Sequence, residues 1–182
     1  MTNLSLKPYI TEEKIQAKVK ELGETLTKKY KNERVIAICV LKGSFMFYSD
    51  LIRSMNTDIT CEFFGVASYH GTTTSSGEVK VTLDLASPIE NCHVILVEDI
   101  VDTGLTMNYL KNSILSRKPK SLTTVALLEK PEALKVKCDI DHVGFKIPND
   151  FVVGYGLDYQ GYYRNLPYLS LIHISEPTRP LY

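Results

Sequence analysis

The ten residues Val97-Glu98-Asp99-Ile100-Val101-Asp102-Thr103-Gly104-Leu105-Thr106 bring together the side chains of this sequence with the most chemistry to offer. The apolar run His93–Val97 ends in two adjacent carboxylates, Glu98 and Asp99, and a third, Asp102, opens a turn containing Gly104. Helical spacing follows at Met107, Leu110, Ile114 and Leu115. A strand-turn-helix junction of this kind points backbone N–H groups and the hydroxyls of Thr103 and Thr106 at one place, an anion site suited to a phosphate monoester. Gly104 lets the backbone approach the anion where a Cβ would block it. The paired acids repel phosphate and are better used on sugar hydroxyls or, through water, on Mg²⁺. Asp-Thr-Gly alone does no more than cap a helix, and two acids after a strand are ordinarily solvated; the whole string behind a buried strand favours the site.

The elements that must position this string are legible from periodicity. Ile15, Val19, Leu22 and Leu26 share one face of a helix spanning about Thr11–Tyr30, with Thr11 as N-cap and Glu12 and Glu13 in an acidic first turn. Val35–Val40 is apolar on both faces, as a central strand of a covered sheet is. Phe45–Met55 reads as a helix, and Asp58–Ala67, Val79–Leu83, Ser121–Leu128, His142–Phe145 and Phe151–Tyr155 as strands. Strands alternating with helices predict a parallel α/β sheet, whose ligands bind beyond the carboxyl ends of the strands. Residues 68–78, rich in Ser, Thr and Gly, hold nothing that anchors in a core and predict a mobile loop.

The 182 residues fit one domain able to bury its own core. With 44% hydrophobic and 23% charged residues, disordered and fibrous classes are excluded. Twenty-one Lys+Arg balance 21 Asp+Glu, which gives no electrostatic footprint for nucleic acid or an anionic membrane. The longest apolar run, Val35–Leu41, is too short to span a bilayer, and the N-terminus does not have the pattern of a secretory signal. Cys39, Cys61, Cys92 and Cys138 lack metal-ligand spacing and are expected to be small buried hydrophobes in a reducing compartment. A cytoplasmic location is the expectation.

Residues 97–106 resemble the phosphoribosyl-pyrophosphate signature of type I phosphoribosyltransferases. Further segments are similar to the bacterial hypoxanthine-guanine branch of that family: Leu41-Lys42-Gly43, Ser68-Tyr69, Leu127–Lys130, Asp150–Tyr159 and Tyr163–Tyr168. The resemblance covers about residues 5 to 169. It implies a mainly parallel, twisted sheet flanked by helices, with a small hood over the active site. It implies transfer of a phosphoribosyl group to hypoxanthine and/or guanine, with Mg²⁺ as cofactor and a homodimer or homotetramer as the assembly. By the same resemblance Asp102 is the general acid or base. Glu98 and Asp99 hold the ribose hydroxyls, directly or with metal, and Thr103, Gly104 and Thr106 cradle the 5-phosphate. Lys130 reads the purine O6, Phe151 stacks on the base, and Val152 offers backbone groups to its edge. Asp158 ligates a second Mg²⁺; Lys42, Gly43 and Arg164 neutralise the pyrophosphate; Ser68 and Tyr69 open a flap over the site.

Several of these residues have plainer readings when taken singly. Lys130 reads as an exposed strand-end lysine, Phe151 as core, Arg164 as a surface ion-pair partner and Asp158 as a strand terminator. Two other functions also fit parts of the string. Ile100–Gly104 resembles the catalytic loop of aspartic proteases, although the helical pattern after Gly104 contradicts an all-β enzyme. A non-catalytic regulator of the same fold that binds nucleic acid is the second, and the zero net charge weighs against it. Residues 170–182 depart from the family pattern and read as a non-native tail, which puts the family's last strand in doubt; some pairing near Leu169–Ile174 is still compatible with the sequence.

Overall fold

In the computed structural model, which describes residues 6–68 and 79–172, strands β1 (Pro8–Ile10), β2 (Arg34–Leu41), β3 (Asp58–Ser68), β4 (Val79–Leu83), β5 (His93–Val101), β6 (Ser121–Glu129), β7 (His142–Lys146), β8 (Phe151–Val153) and β9 (Leu169–Ile172) alternate with three helices. These are α1 (Glu12–Lys29), α2 (Phe45–Arg53) and α3 (Leu105–Leu115). The main sheet has six strands in the order β4-β3-β2-β5-β6-β7, all parallel except the edge strand β4.

The two-faced apolar runs explain the layers. On β2 and β5, Val35, Ala37, Cys39, Ile95 and Val97 face the core shared with Ile15, Val19, Leu22 and Leu26 of α1 and Phe47 and Leu51 of α2. Their alternate neighbours Ile38, Val40, Val94 and Leu96 face Met107, Leu110 and Ile114 of α3. Period-2 side chains on a strand covered by helices above and below produce this partition. The α1 N-terminus forms as its residues predict, Thr11 Oγ1 accepting from the Lys14 amide at 3.4 Å.

A second sheet, β1-β9-β8, is antiparallel and packs on the α1/α2 side of the core through Ile10, Val152 and Leu169. This is the hood. Its middle strand is β9, so pairing does run through Ile172, three residues into the segment that the sequence sets apart from the family pattern. Apolar Leu169 and Ile172 are buried there, and buried Ser170 is satisfied by donating to the Lys7 carbonyl at 2.8 Å. Residues 173–182 lie outside the described residues, as do residues 69–78, on which most of the expected mobile loop falls.

Several expectations are corrected. Strand β8 ends at Val153 rather than Tyr155, because Gly154, Tyr155 and Gly156 all take positive φ and turn the chain. Leu115, expected on the buried face of α3, is 51% exposed at the helix's last turn. Cys61 is exposed and Cys92 half-buried, so only Cys39 and Cys138 are the buried hydrophobes expected of all four. Cys138 lies in the loop before β7. All four are free thiols. Among the described residues no helix is long and apolar enough to cross a membrane.

Candidate active site

Beyond the carboxyl ends of β2, β5 and β6 lies a cavity of about 520 Å³. Its floor is the end of β5. Glu98 and Asp99 are the last strand residues but two, so they are held by the parallel ladder to β6 rather than carried on a loop. Glu98 is buried and its Oε2 has no hydrogen-bond partner among the described residues. Burial, and then the charge of Asp99, push its pKa well above the usual carboxylate value. Asp99 accepts from the Ile100 amide at 2.7 Å. Burial outweighs that bond and the nearby Arg164 charge and raises its pKa to about 6, with Asp158 adding a smaller push upward. Two carboxyls in this state gain from hydroxyl donors or a cation, whereas solvated loop acids gain little from either.

The turn from β5 into α3 is an open helix end. Gly104 is the N-cap residue in the left-handed region, φ 81°, and among the described residues no side chain caps the helix. The first turn holds no acid, and Leu105 N–H makes only a long 3.4 Å contact with Thr103 Oγ1. The free N–H groups and positive dipole end border the cavity, together with the Thr103 and Thr106 side chains. Behind the turn, Thr103 O accepts from the amides of Lys135 and Val136 at 3.0 and 3.4 Å. A Cβ on Gly104 would meet Cys138 Cβ and the Val136 carbonyl at 3.0 Å, so the glycine is fixed both by its φ and by the loop it rests on.

Asp102 stands at the cavity wall, half-exposed, with its Oδ2 3.9 Å from the Nζ of Lys130. Lys130 follows β6 and is buried rather than exposed; its own amide donates to the Val101 carbonyl at 2.9 Å, which ties the two strand ends together. Phe151 is 41% exposed at the cavity edge, meeting Tyr159 edge-to-face with centroids 5.7 Å apart. It is an aromatic face open to the cavity, not core. Val152 beside it is buried and held in register with Leu171 of β9.

On the opposite side the backbones of two loops touch. A Cβ at Gly43 would lie 1.5 Å from Asp99 Oδ2, and a Cβ at Gly156 would lie 2.0 Å from the Gly43 carbonyl oxygen. Arg164 donates to the Gly156 carbonyl at 2.6 Å and pairs with Asp158 at 2.5 Å. Asp158 also accepts from the Gly161 amide at 2.7 Å. Lys42, Asp158 and Arg164 all line the cavity. Thus of the residues singled out from the sequence, thirteen border one space. Ser68 ends β3, Tyr69 lies outside the described residues, and the expected flap they open is not placed.

Four lining residues were not anticipated as part of the site: Val40, Val66, Val79 and Met107. Met107 carried the signal, since it occupies the first turn after the anion-binding string. Val66 and Val79 are close to either end of the 68–78 loop, but their strand patterns say nothing about a cavity.

Among the described residues no three His, Cys, Asp or Glu side chains converge as a ready metal cage. Mg²⁺ keeps several waters and takes one or two carboxylates together with substrate phosphate oxygens. The orphaned Glu98 Oε2 and the separate Asp158 carboxylate are donors of the right kind for it.

Comparison with known proteins decides the family. The phosphoribosyl transferase domain pattern matches residues 9–160. The chain belongs to the phosphoribosyltransferase family. It is 48% identical over 163 residues to a hypoxanthine-guanine phosphoribosyltransferase of Staphylococcus aureus, covering 90% of this chain and 91% of the relative. It is 48% identical over 166 residues to that of Bacillus subtilis, covering 91% and 92%. The crystal structure of a hypoxanthine phosphoribosyltransferase from Staphylococcus aureus superposes with a TM-score of 0.88 at 47% identity, over 94% of this chain and 92% of that one. As a phosphoribosyltransferase of this purine-salvage branch the chain is an enzyme that transfers a pentosyl group, on the mostly parallel α/β fold described above. An aspartic protease, an all-β protein, is excluded by that sheet and by α3.

Proposed function

We propose that the protein converts hypoxanthine and/or guanine, with 5-phosphoribosyl 1-pyrophosphate, to the purine nucleotide and pyrophosphate. The observation that carries this reading is the convergence on one cavity of an uncapped helix end, an orphaned buried carboxyl and a buried lysine beside Asp102. These are three recognitions in one space: phosphate, sugar hydroxyl and base.

The 5-phosphate is received by the Thr103-Gly104-Leu105-Thr106 amides and hydroxyls, and the ribose hydroxyls by Glu98 and Asp99. The purine lies against Phe151 with its O6 toward Lys130. An ammonium there donates to an oxo group and repels the amino group of adenine. A bond forms from the purine ring nitrogen to the sugar C1 as the C1–O bond breaks, its electron pair leaving with pyrophosphate. Asp102 takes the proton the base gives up and returns it in the reverse reaction. Lys42, the Gly43 amide and Arg164 lie where the leaving group accumulates charge. Ser68 and Tyr69 belong to the flap that closes over the reacting groups and excludes water from them. Asp158 on the pyrophosphate side and Glu98 or Asp99 on the sugar side would hold Mg²⁺, which would supply positive charge against the departing phosphates.

Substrates are small and soluble; a homodimer or homotetramer in the cytoplasm is the form we propose, with residues 1–169 as the catalytic domain and the terminal segment after Ile174 dispensable. The test is direct. Protein, Mg²⁺ and phosphoribosyl pyrophosphate are incubated with each base, and nucleotide and pyrophosphate are measured. Nucleotide from hypoxanthine or guanine but not from adenine is expected, with none after chelation; AMP as the main product would refute the base reading.

A further inference from the structure

Tyr155 is the least explained residue of the pyrophosphate side. It is not a lining residue, it is almost fully buried, and it sits at φ 45° between Gly154 at 101° and Gly156 at 102°. A bulky residue in the left-handed region is costly and persists only where its surroundings fix it. Its backbone is fixed by its amide donating to the Leu166 carbonyl at 2.8 Å, and that of Gly156 by donation to the Arg164 carbonyl at 2.9 Å. Its side chain crosses to another element: the phenol donates to Asp50 Oδ2 of α2 at 2.6 Å.

Asp50 is built to receive it. The same Oδ2 accepts from Gln16 Nε2 of α1 at 2.9 Å, and Oδ1 pairs with Arg53 at 2.5 Å. Partial burial alone would raise the carboxyl's pKa, but the bonds from Tyr155, Gln16 and Arg53 outweigh it and hold Asp50 ionised below its ordinary range. The phenol stays a donor, since burial and then the carboxylate push its own pKa upward.

Helix α2 is the link. Its N-terminal end continues directly from Lys42-Gly43-Ser44, with buried Ser44 bonded back to the Val40 carbonyl. Asp50, later on the same nine-residue helix, holds the turn that carries Gly156, Asp158 and, through two hydrogen bonds, Arg164. The gap between the two loops is closed to backbone contact at Gly43 and Gly156.

We propose that Tyr155 and Asp50 are positioning residues, a hydrogen-bonded strut from α2 that sets the spacing between the Lys42-Gly43 loop and the Asp158/Arg164 turn and thereby the affinity for the pyrophosphate moiety. The proposal rests on the functional reading above for what that space binds. The base side is supported independently, by β6 beneath Lys130 and by the β8–β9 ladder beneath Phe151.

Tyr155→Phe keeps the ring and its burial and removes only the hydroxyl. The strut predicts a rise of about tenfold in KM for phosphoribosyl pyrophosphate and in Kd for pyrophosphate, within the ~10²-fold that a 1 Å misplacement can cost. KM for the purine should stay within about twofold. Asp50→Leu should reproduce the effect, the double variant should be no worse than either single one, and Asp50→Asn, which keeps an acceptor, should restore most of it. If Asp50→Leu does not fold, Tyr155→Phe and Asp50→Asn carry the comparison. Independently of activity, amide exchange at Tyr155 and Gly156 should quicken in Tyr155→Phe. Unchanged pyrophosphate affinity and exchange, equal rises in both KM values, or additive single effects would overturn the strut. A wild-type protein that makes no nucleotide would instead overturn the functional reading, and the exchange rates would still judge the strut.

Discussion

Gly43→Ala is the smallest perturbation with the most to say about the site. The added methyl would fall 1.5 Å from Asp99 Oδ2 and 2.6 Å from its Cγ. Ordinary carbon contacts need about 3.5 Å, so one partner has to retreat by ~2 Å. Neither retreat is free. Asp99 sits on the central strand β5 with its Oδ1 held by the Ile100 amide at 2.7 Å, a charge-assisted bond of about 1.5–3 kcal/mol. The Gly43 backbone, in turn, abuts Gly156 through its carbonyl oxygen. Movement either rotates the carboxylate proposed to bind the sugar or parts the two loops proposed to receive pyrophosphate. A displacement of ~1 Å in a reacting constellation costs on the order of 10²-fold, so kcat/KM for phosphoribosyl pyrophosphate should fall by about that factor or more. Steady-state kinetics with the sugar substrate varied at saturating hypoxanthine measure it, with a melting curve to exclude gross unfolding. A folded Gly43→Ala enzyme within about threefold of wild type would refute the proposed closeness of this loop to Asp99.

Asp102→Asn should preserve substrate binding and lower kcat by about 10²–10⁴-fold, the usual loss for a general acid or base; near-native kcat with chemistry rate-limiting would remove that role. Lys130→Ala should weaken purine binding and narrow the preference for oxopurines over adenine, read as the ratio of their kcat/KM values. Asp141→Ala should cost about 1 kcal/mol in denaturant unfolding. It removes an acceptor for both the Thr124 amide and hydroxyl at 2.8 Å, the cost being moderated by the carboxylate's exposed outer face. Burial acts to raise the Asp141 pKa, but the Thr124 bonds prevail and lower it. Its contribution is therefore complete above the unfolded value of about 3.9 and is lost as pH falls through the lower folded value; the Asp141→Ala difference should vanish on acidification. A stop after Ile174 should shift Tm by less than about 2 °C and leave kcat/KM unchanged, since Pro177 and Pro180 cannot contribute ladder N–H groups; a large loss of stability would show that the terminal segment is integral.

The sequence made visible what depends on local pattern. The α1 stripe, the two-faced runs of β2 and β5 and the carboxylates at the end of β5 all follow from periodicity and end signals within a dozen residues. Lys130 and Phe151 are different. Their local context reads as an exposed lysine and a core aromatic, and the fold reverses both, burying Lys130 and opening Phe151 to the cavity. Family resemblance supplied these, not patterning. Strands β1 and β9 are missed or doubted because three or four residues carry almost no periodic signal; β1 forms because the far end of the chain supplies β9, which also pairs with β8. The Tyr155–Asp50 contact spans 105 positions and joins a phenol and a carboxylate that are unremarkable where they stand in the sequence. Cys61 is exposed because its strand lies next to the antiparallel edge, where the helical layer gives out.

The order of the hood strands sets a clock on the enzyme's assembly. Both β1 and β8 find their hydrogen-bonding partner in β9, which among the described residues is the last strand to be synthesised. The six-stranded sheet, whose strands β5 and β6 lead directly into Asp102 and Lys130, shares no strand with the hood, so β1 stays unpaired until β9 is available. Only when Leu169–Ile172 emerges can β1 and β9 meet, across the greatest sequence separation of any strand pair among the described residues. The groups proposed for catalysis therefore precede the strand that supports the proposed purine shelf. A chain released a few residues before Leu169 carries every proposed catalytic and binding side chain but lacks the strand that, among the described residues, holds Phe151 and Val152 in register.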